Sequence, residues 1–418
     1  MNNWLNATFA ALGYRHFRIL WTGTTLAFVA FFMSTVVQGV VAFKLTGQNS
    51  AVGIVVFAQG LAQLLLGPVG GALADRVSKR KMILANQVVI TFTFFALAIL
   101  VATDLISVPF LAIGSFVTGV AFSFLGPSRQ AFALELIDPP RRGNAMALNQ
   151  VSMNASRILG PMFAGIFLAI GFFGAAGAYT AMGVFYVLAI VTTILLPASR
   201  PIARTGASIF GDIVVGVRYV AGHRRLRTLL LTFGLAIMIG FPYVTVLPGL
   251  VENEFGRSAR DVSILYGLNA VGGLGASLAV AGIADSPRAT LVYLVMGVGF
   301  GVTLVLAALS PTFLLLGGAM FLMGIAAGVF QTLNGAVVAH LAEPAYFGRV
   351  MSLTFLAFAG FGIAALPIGF LADSFGERAV LAVMGAGVVL VVVFVGGLGA
   401  RIFAGSTAEP GGVPGGGS

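Results

Sequence analysis

Long apolar runs, separated by short polar segments, recur along the whole of the 418-residue chain. A helix needs about 20 apolar residues to cross a bilayer, and runs of that length lie between charged residues, glycines and prolines. The pattern predicts twelve spans, at 19–43, 51–74, 82–103, 107–133, 146–171, 177–197, 228–250, 262–284, 289–309, 312–340, 351–372 and 379–402. We therefore expect an all-α membrane protein with twelve transmembrane helices.

The composition leads to the same conclusion. Hydrophobic residues make up 59% of the chain and charged residues only 9%, whereas soluble domains carry about 25% charged residues. Because so few charges cannot cover a surface that faces water, the chain is predicted to be an integral membrane protein.

Several chemistries are excluded by what the sequence does not contain. The chain has no cysteine, which excludes disulfides and thiol chemistry, and its three histidines are too scattered to form a metal cluster. It has neither a Gly-x-x-x-x-Gly-Lys-Ser/Thr loop for ATP phosphates nor a nucleophile elbow with a His/Asp partner. We expect no cofactor, no metal and no enzymatic activity.

Lysine and arginine are distributed unequally between the two sets of loops. One set holds most of them, and the other holds only Lys44, Arg257, Arg260 and Arg378. Because basic loops stay on the cytoplasmic side, both termini are predicted to be cytoplasmic, in a multi-pass monomer of the cytoplasmic (inner) membrane. The net charge of +10 then reflects loops that contact anionic lipid and does not indicate a nucleic-acid partner.

The chain also repeats itself. Residues 119–148 align without gaps with residues 324–353, with matches that include Gly119/Gly324, Pro139/Pro344 and Gly143/Gly348. Parallel half-repeats with a site at their interface are typical of transporters. The predicted domains are a six-helix bundle at 1–197, a cytoplasmic linker with an amphipathic basic segment at 198–227, a second six-helix bundle at 228–403 and a flexible tail at 404–418.

Three segments resemble known signatures. The loop at 70–81, "GGALADRVSKRK", resembles the major facilitator superfamily signature Gly-x-x-x-Asp-Arg/Lys-x-Gly-Arg/Lys-Arg/Lys. It matches at Gly71, Asp75, Arg76, Lys79 and Arg80, and Ser78 replaces the usual glycine. The segment "RILGPMFAG" resembles the antiporter signature of that superfamily at Gly160, Pro161 and Gly165. Residues 126–161 are similar to the subgroup that contains enterobactin exporters and macrolide-efflux proteins.

The resemblance implies the major facilitator fold, in which two pseudo-symmetric six-helix bundles enclose a central site, and it implies a gate at the cytoplasmic end. In that fold the acid of the loop signature contacts the start of the eleventh helix, so Asp75 is predicted to latch the two halves together. The predicted gate comprises Gly71, Asp75, Arg76, Arg129, Glu135 and Arg349. Lys79, Arg80 and Lys81 are expected mainly to keep the loop on the cytoplasmic side.

Arg129 and Arg157 are the basic residues deepest within the apolar runs. A charge inside a span is costly and usually faces a cavity or a partner. Gln150, Asn154 and Arg157 are spaced by four and then three residues, so they share one face of the fifth span. We expect that face to line a cavity, with hydrogen bonding between helices as the alternative.

Acidic residues inside the spans are scarce, which limits the candidates for proton coupling. A carrier driven by protons commonly uses a buried carboxylate, but among thirteen acids only Asp75 and Glu135 lie near the helical bundle. The proton-coupling candidates are Glu135, Asp75 and His340.

Aromatic and amide side chains near the middle of the spans are the candidates for a ligand site. Amides avoid lipid, and an apolar pocket with few polar groups suits amphipathic organic ligands. The substrate-binding candidates are Phe31, Phe32, Gln38, Gln59, Gln63, Phe124, Asn154, Arg157, Tyr243, Asn269, Gln331, Asn334 and Phe358.

Together these features predict a secondary transporter. It is expected to export an amphipathic organic molecule, a drug or a siderophore-like metabolite, by alternating access and proton antiport. Two alternatives stay open, a facilitator or importer of a small organic nutrient on the same fold and a non-transporting membrane receptor or assembly protein. The expected partners are the organic substrate, protons and membrane lipids.

Overall fold

The computed structural model describes residues 10–170, 174–199, 209–280, 286, 288–343 and 346–397, of which 68–76, 209–213, 259–260, 347–348, 352 and 355 are described by their backbone alone. All regular structure in this part of the chain is helical. Twelve helical segments are long and apolar enough to span a membrane, which confirms the predicted fold class. The predicted tail at 404–418 lies outside the described residues.

Connections of six residues or fewer separate the six spanning helices of the first half. Gly47 follows the first helix in the left-handed conformation, with φ 67°. Pro109 stands in the first turn of the fourth helix, where a backbone N–H is not needed. The helices are α1 (Arg15–Thr46), α2 (Asn49–Arg76), α3 (Lys79–Ala102), α4 (Val108–Glu135), α5 (Arg142–Ala169) and α6 (Gly174–Ile194).

The second half also contains six spans, and the first of them is interrupted. Its two parts are α7a (Arg224–Gly240) and α7b (Tyr243–Gly249), and a π-helical turn, Leu250–Glu254, follows. Pro242 lies at the break, where it lacks the N–H that would continue the helix. The remaining helices are α8 (Ala259–Val280), α9 (Ala289–Leu309), α10 (Phe313–Leu341), α11 (Phe347–Phe375) and α12 (Glu377–Leu390), which continues as a π-helix at Val391–Gly396.

A short amphipathic helix, the linker helix (Ile209–Gly222), precedes α7a. The ring of Tyr219 stacks on the ring of Tyr346 with centroids 4.1 Å apart, and the hydroxyl of Tyr219 accepts a hydrogen bond from the backbone N–H of Glu343 at 3.1 Å. The linker helix therefore contacts the connection between α10 and α11. Helix α7a begins at Arg224, immediately after its N-cap residue His223. It therefore starts within the segment 198–227 that was predicted as the linker.

The start of α1 is fixed to the start of α5 by polar contacts. Tyr14 donates a hydrogen bond to a carboxylate oxygen of Asp138 at 2.7 Å, and this bond raises the pKa of the Tyr14 phenol. Farther along α1, the indole N–H of Trp21 donates to the carbonyl of Leu148 at 2.9 Å. These contacts set the position of α1 against α5 near the predicted site.

The repeated glycines occupy equivalent helix crossings in the two halves. A Cβ added to Gly119 would lie 2.7 Å from the carbonyl oxygen of Gln59, so α4 and α2 are in close contact there. A Cβ added to Gly324 would meet the carbonyl oxygen of Asn269, where α10 crosses α8. Small residues allow such close approach between membrane helices. The sequence repeat thus corresponds to a repeat in the packing.

Apolar side chains cover the outside of the bundle. Phe92 on α3 and Val383 on α12 are each 71% exposed. Such exposure suits a surface that faces lipid, because hydrocarbon imposes no penalty on apolar side chains.

The two ends of the bundle differ in charge. The basic face is the end that carries Arg15, Arg80, Arg141, Arg224 and Arg349, and the acidic face is the end that carries Asp104, Glu254, Asp261, Asp373 and Glu377. Two bases on the acidic face are paired with acids. The Nε of Arg378 lies 2.6 Å from a carboxylate oxygen of Glu254, and Arg257 lies 3.8 Å from Asp261.

Candidate functional site

Helix α5 carries a polar stripe on the side that faces the second half. A Cβ added to Gly165 would lie 2.8 Å from the Cβ of Ser263 in α8, so this side of α5 contacts the second half. Asn154 precedes Gly165 by eleven residues, about three helical turns, and so shares its face. The Oδ1 of Asn154 accepts a hydrogen bond from the Nε2 of Gln150 at 3.1 Å. The stripe therefore faces the boundary between the halves.

Arg157 lies on this side of α5, one turn beyond Asn154. Its guanidinium carbon is 5.7 Å from the centroid of the Phe32 ring on α1. Tyr243, at the start of α7b in the second half, is buried and lies within electrostatic range of Arg157. Two of the predicted ligand-site residues, Phe32 from the first half and Tyr243 from the second, thus lie near the Arg157 cation.

Helix α1 supplies the aromatic surface beside this cation. The rings of Phe31 and Phe32 meet edge to face, with centroids 5.5 Å apart. Phe31 stacks on Phe122 of α4 at 4.4 Å. A Cβ added to Gly160 would lie 2.6 Å from the Cβ of Phe32, so the first glycine of the antiporter-like segment allows α5 to approach this surface closely.

A second arginine lies against the same helix. Arg129 on α4 is 5% exposed, and its guanidinium carbon is 6.0 Å from the centroid of the Phe28 ring. Its Nε and Nη2 atoms are buried without a hydrogen-bond partner. Asn334 occupies the equivalent position in the repeat alignment, and it is 1% exposed with an unpartnered Oδ1. Each half therefore holds a buried polar side chain with unused hydrogen-bonding capacity.

Three of the predicted amides are hydrogen-bonded within their own half. The Oε1 of Gln38 accepts from the Ser115 hydroxyl at 2.6 Å, and the Nδ2 of Asn269 donates to the carbonyl of Met320 at 3.1 Å. Gln331 donates to the carbonyl of Ala327 one turn earlier, at 3.2 Å. The first two contacts join neighbouring helices. The remaining candidates on α2 and α4 are half-buried, namely Gln59, Gln63 and Phe124.

Phe358 belongs to an aromatic cluster inside the second half. Its ring lies 6.0 Å from Phe233 and 5.9 Å from Phe241, measured between centroids. Phe241 also contacts Phe361 at 6.2 Å. The cluster surrounds the break between α7a and α7b. Among the described residues, no ring–ring contact joins this aromatic cluster to the group around Arg157.

Close packing joins the two halves between the middle of the bundle and the acidic face. A Cβ added to Gly60 on α2 would lie 2.6 Å from the Cα of Gly362 on α11, and one added to Gly53 would lie 2.8 Å from the carbonyl oxygen of Ala365. Near the acidic face, a Cβ added to Gly369 would lie 2.7 Å from the carbonyl oxygen of Asn49. Helices α2 and α11 thus cross with their backbones almost in contact.

Hydrogen bonds between the halves close the acidic face. The carboxylate of Asp373, near the end of α11, accepts bonds from the backbone N–H groups of Asn49 at 2.6 Å and Ser50 at 2.9 Å. These are the first donors of α2, which have no partner within their own helix. Asp373 therefore acts as an N-cap supplied by the opposite half, where its negative charge also favours the helix dipole.

Glu377 extends this network. It is 6% exposed, and its Oε1 accepts hydrogen bonds from the side-chain amides of Asn49 at 2.9 Å and Asn253 at 2.7 Å. Neither Asp373 nor Glu377 was among the predicted functional residues. The available signal was their placement, two acids within five positions at the end of a span in an acid-poor chain.

The predicted gate at the basic face is only partly visible. The side chains of Gly71, Asp75 and Arg76 lie outside the described residues, so the latch formed by Asp75 stays a prediction. Arg349 is half-buried at the start of α11, with its guanidinium carbon 5.8 Å from the Tyr346 ring. His340 is exposed at the end of α10, and its Nδ1 lies 2.9 Å from the carbonyl oxygen of Ala336.

Two bases of the 70–81 loop hold helix ends together. The Nζ of Lys79, which is 1% exposed, lies 2.6 Å from a carboxylate oxygen of Glu135 at the end of α4. Arg80 donates to the carbonyls of Thr193 at 3.2 Å and Ile194 at 2.6 Å, at the end of α6. Lys79 and Arg80 therefore make structural contacts in addition to their expected role in keeping the loop on the cytoplasmic side. Among the described residues no ion pair connects Glu135 with Arg129.

Comparison with known proteins gives a consistent family. Residues 20–362 match the profile of the Major Facilitator Superfamily. The chain is 25% identical to the "Staphyloferrin A transporter" of Staphylococcus aureus (strain NCTC 8325 / PS 47), over 82% of this chain and 86% of that protein. It is 26% identical to the "3-(3-hydroxy-phenyl)propionate transporter" of Escherichia coli (strain K12), over 71% and 70%. With the "Multidrug resistance protein MdtH" of Photorhabdus laumondii it shares 27% identity over 52% of each chain.

Solved structures show the same fold at low identity. The nucleoside transporter NupG superposes with a TM-score of 0.76 at 13% identity, covering 92% of this chain and 99% of that one. A bacterial homolog of the human lysosomal transporter Spinster, in an inward-facing and unoccupied conformation, gives a TM-score of 0.73 at 14% identity, covering 95% and 99%.

Proposed function

The chain belongs to the Major Facilitator Superfamily of transporters, and from this premise we propose that it exports amphipathic organic molecules by proton antiport. The observation that carries the proposal is the position of Arg157, which contacts Phe32 of α1 and lies on the side of α5 that meets α8 of the second half. A site shared by both halves changes its surroundings when the halves move relative to each other, as alternating access requires.

The acidic face supplies the barrier that must open. In the present conformation Asp373 of the second half caps α2 of the first half, and the glycine contact at Gly60 and Gly362 lies deeper along the same interface. When the acidic face opens, those contacts break, and the basic face closes. A ligand drives the exchange only to the extent that its affinity differs between the two conformations.

The charge asymmetry assigns the basic face to the cytoplasm. The acidic face carries only Lys44, Arg257, Arg260 and Arg378 against the larger number of bases at the other end. With this orientation the described conformation is closed toward the outside.

Export is favoured by the antiporter-like segment and by one relative. Gly160 lies where α5 contacts α1 of the same half, and Gly165 lies where α5 contacts α8 of the second half, so Gly165 allows the halves to approach closely. A relative that is similar over about half of each chain is named a multidrug resistance protein. Among the predicted proton-coupling residues, Glu135 is ion-paired with Lys79, and a proton delivered to Glu135 would weaken this pair.

Import of an organic nutrient is the second candidate function. It is favoured by the relative named for 3-(3-hydroxy-phenyl)propionate, which is similar over about 70% of each chain. The two functions use the same fold and differ in whether the substrate moves out of the cell or into it.

Proteoliposomes with an imposed pH gradient separate these functions. Two fluorescent amphiphiles serve as test substrates, the cation ethidium and the anion pyrenebutyrate. Proton antiport predicts that an amphiphile accumulates when the lumen is acidic and that an ionophore which collapses the gradient abolishes this accumulation. Accumulation only when the outside is acidic would identify a symporting importer. Equilibration without any gradient dependence would identify a facilitator, and no movement above empty liposomes would favour a non-transporting receptor.

A matched pair of variants connects transport to the site. Arg157→Gln is expected to reduce transport at least ten-fold, because it removes the cation shared by the two halves. Arg224→Gln removes an exposed arginine of the basic face and is expected to transport normally. Equal transport by both variants would place Arg157 outside the transport site.

A further inference from the structure

The positive charges of Arg129, inside the first half, and of Arg157, at the boundary between the halves, are not paired with a carboxylate among the described residues. Arg129 is buried with two unpartnered nitrogen atoms, and no described carboxylate forms an ion pair with Arg129 or Arg157. Removing a cation from water is costly unless a partner compensates for the lost hydration. Their aromatic contacts compensate only in part, because a cation–π contact is weaker than a charge-assisted hydrogen bond.

The two guanidinium groups lie against successive turns of one helix. Arg129 contacts Phe28 and Arg157 contacts Phe32. These two phenylalanines are four residues apart on α1, so the contacts are separated by one turn, about 6 Å along the helix axis. Arg157 is the more accessible of the two, half-buried on the side of α5 that faces the second half.

The described acids near the bundle already have other partners. Glu135 is paired with Lys79 at the basic face. Asp373 and Glu377 hold the acidic face closed through bonds to Asn49, Ser50 and Asn253. None of these acids contacts either arginine. Among the described residues, then, no carboxylate lies beside Arg157, and a ligand can supply the negative charge there.

We propose that the transported molecule carries a carboxylate that binds Arg157, with an aromatic or alkyl body that packs against Phe31, Phe32 and Phe122. This inference names the substrate class of the site on which the proposed function rests. The planar guanidinium matches a carboxylate with two parallel hydrogen bonds. The edge-to-face and stacked rings on α1 and α4 offer an apolar surface for the body of the same molecule. Arg129 adds a second, more deeply buried positive charge.

Binding to the purified full-length protein in detergent tests this inference independently of transport. Matched probes differ only in charge, namely pyrenebutyrate with pyrenebutanamide and 3-phenylpropionate with 3-phenylpropanamide. We expect each carboxylate to bind at least ten-fold more tightly than its amide. In Arg157→Gln this preference is expected to disappear because carboxylate affinity falls, while amide affinity stays within about two-fold. Arg157→Lys retains the charge without the two-pronged geometry and is expected to restore part of the preference.

Controls distinguish a specific contact from a general effect of charge or folding. Arg224→Gln changes the net charge equally and should retain the full preference for carboxylates. Thermal unfolding establishes that each variant is folded. The inference is overturned if wild-type protein binds the acid and the amide equally, or if it binds none of the four probes. It is also overturned if folded Arg157→Gln retains the preference for the carboxylate. Carboxylate binding that depends on Arg157, without gradient-driven movement in proteoliposomes, would instead overturn the proposed antiport and leave the anion site standing.

Discussion

Lys79 is a charge almost completely removed from water, 1% exposed, and its ion pair with Glu135 connects the start of α3 to the end of α4. The two partners are not equivalent, because 28% of the Glu135 side chain is exposed. Loss of Glu135 leaves a buried ammonium group without a partner, whereas loss of Lys79 leaves a carboxylate that water can reach.

We therefore predict that Glu135→Gln destabilises the protein more than Lys79→Met does. Leaving a buried polar group unsatisfied costs about 1–3 kcal/mol, so Glu135→Gln should lower the midpoint of thermal unfolding measurably. The double variant should be more stable than Glu135→Gln alone. The asymmetric burial of the pair would be contradicted if Lys79→Met were the more damaging single change.

At this scale the sequence identifies residues by type and by spacing within one helix. The spacing of Gln150, Asn154 and Arg157 placed them on one face of α5, and the hydrogen bond from Gln150 to Asn154 is consistent with that placement. The sequence alone could not identify Asp373 as the N-cap of α2, because the contact joins residues 324 positions apart. Which side chains meet across the two halves depends on how the halves pack.

Glycines determine how closely α2 and α11 pack. A Cβ at Gly60 would come within 2.6 Å of the Cα of Gly362, whereas a Cβ at Gly67 on the same helix would meet nothing within 4 Å. We predict that Gly60→Ala disfavours the conformation closed at the acidic face by about 1–3 kcal/mol, the usual cost of overpacking. Gly67→Ala should leave it unchanged or slightly stabilise the helix.

The effect can be measured with a reporter cysteine, since the natural chain has none. Val262→Cys places a thiol at a position 2% exposed on α8, so its reaction with a maleimide reports opening of the acidic face. Labelling should be faster in Gly60→Ala than in Gly67→Ala. Equal rates would mean that this crossing does not control the opening.

The cap that Asp373 provides to α2 gives a second prediction for these helices. Asp373→Ala removes both hydrogen bonds, and the loss of an N-cap costs about 1 kcal/mol, which corresponds to about five-fold in an equilibrium. We expect labelling of Val262→Cys to accelerate by about that factor. Asp104→Asn alters an exposed acid on the same face and serves as the control. A rate in Asp373→Ala no higher than in Asp104→Asn would show that the cap does not hold the face closed.

For the whole molecule, the unequal distribution of basic residues predicts the orientation. Single cysteines at two exposed positions test it, Lys81→Cys on the basic face and Asp104→Cys on the acidic face. A membrane-impermeant maleimide applied to intact cells stripped of their outer envelope should label Asp104→Cys at once. It should label Lys81→Cys only after the membrane is permeabilised. The reverse pattern would invert the orientation and with it the assignment of the closed face to the outside.

The overall fold could be predicted from the sequence because lipid allows few solutions. A span must satisfy its own backbone hydrogen bonds, so each apolar run of sufficient length becomes a helix. The repeat around Gly119 and Gly324 correctly indicated two halves with similar packing. The interruption of the seventh span at Pro242 and the conformation of the molecule were not predicted. The first follows from Pro242, whose missing N–H was not used in predicting an unbroken span, and the second depends on contacts between halves.

Alternating access requires the acidic face to open during every transport cycle. Ser50 and Asp373 lie on opposite halves and are joined there by a 2.9 Å hydrogen bond. Glu254 and Arg378 are joined by a 2.6 Å ion pair on the same face but lie within the second half. Cysteines at either pair can be linked by a short bis-methanethiosulfonate reagent, and a reductant reverses the link. The two links thus differ only in whether they tie the halves together.

The measurement is gradient-driven uptake of pyrenebutyrate and ethidium into proteoliposomes before linking, after linking and after reduction. Linking Ser50→Cys to Asp373→Cys should abolish uptake, and reduction should restore it, while linking Glu254→Cys to Arg378→Cys should leave uptake unchanged. Undiminished uptake by protein fully linked between Ser50→Cys and Asp373→Cys would contradict transport by opening of the two halves at the acidic face.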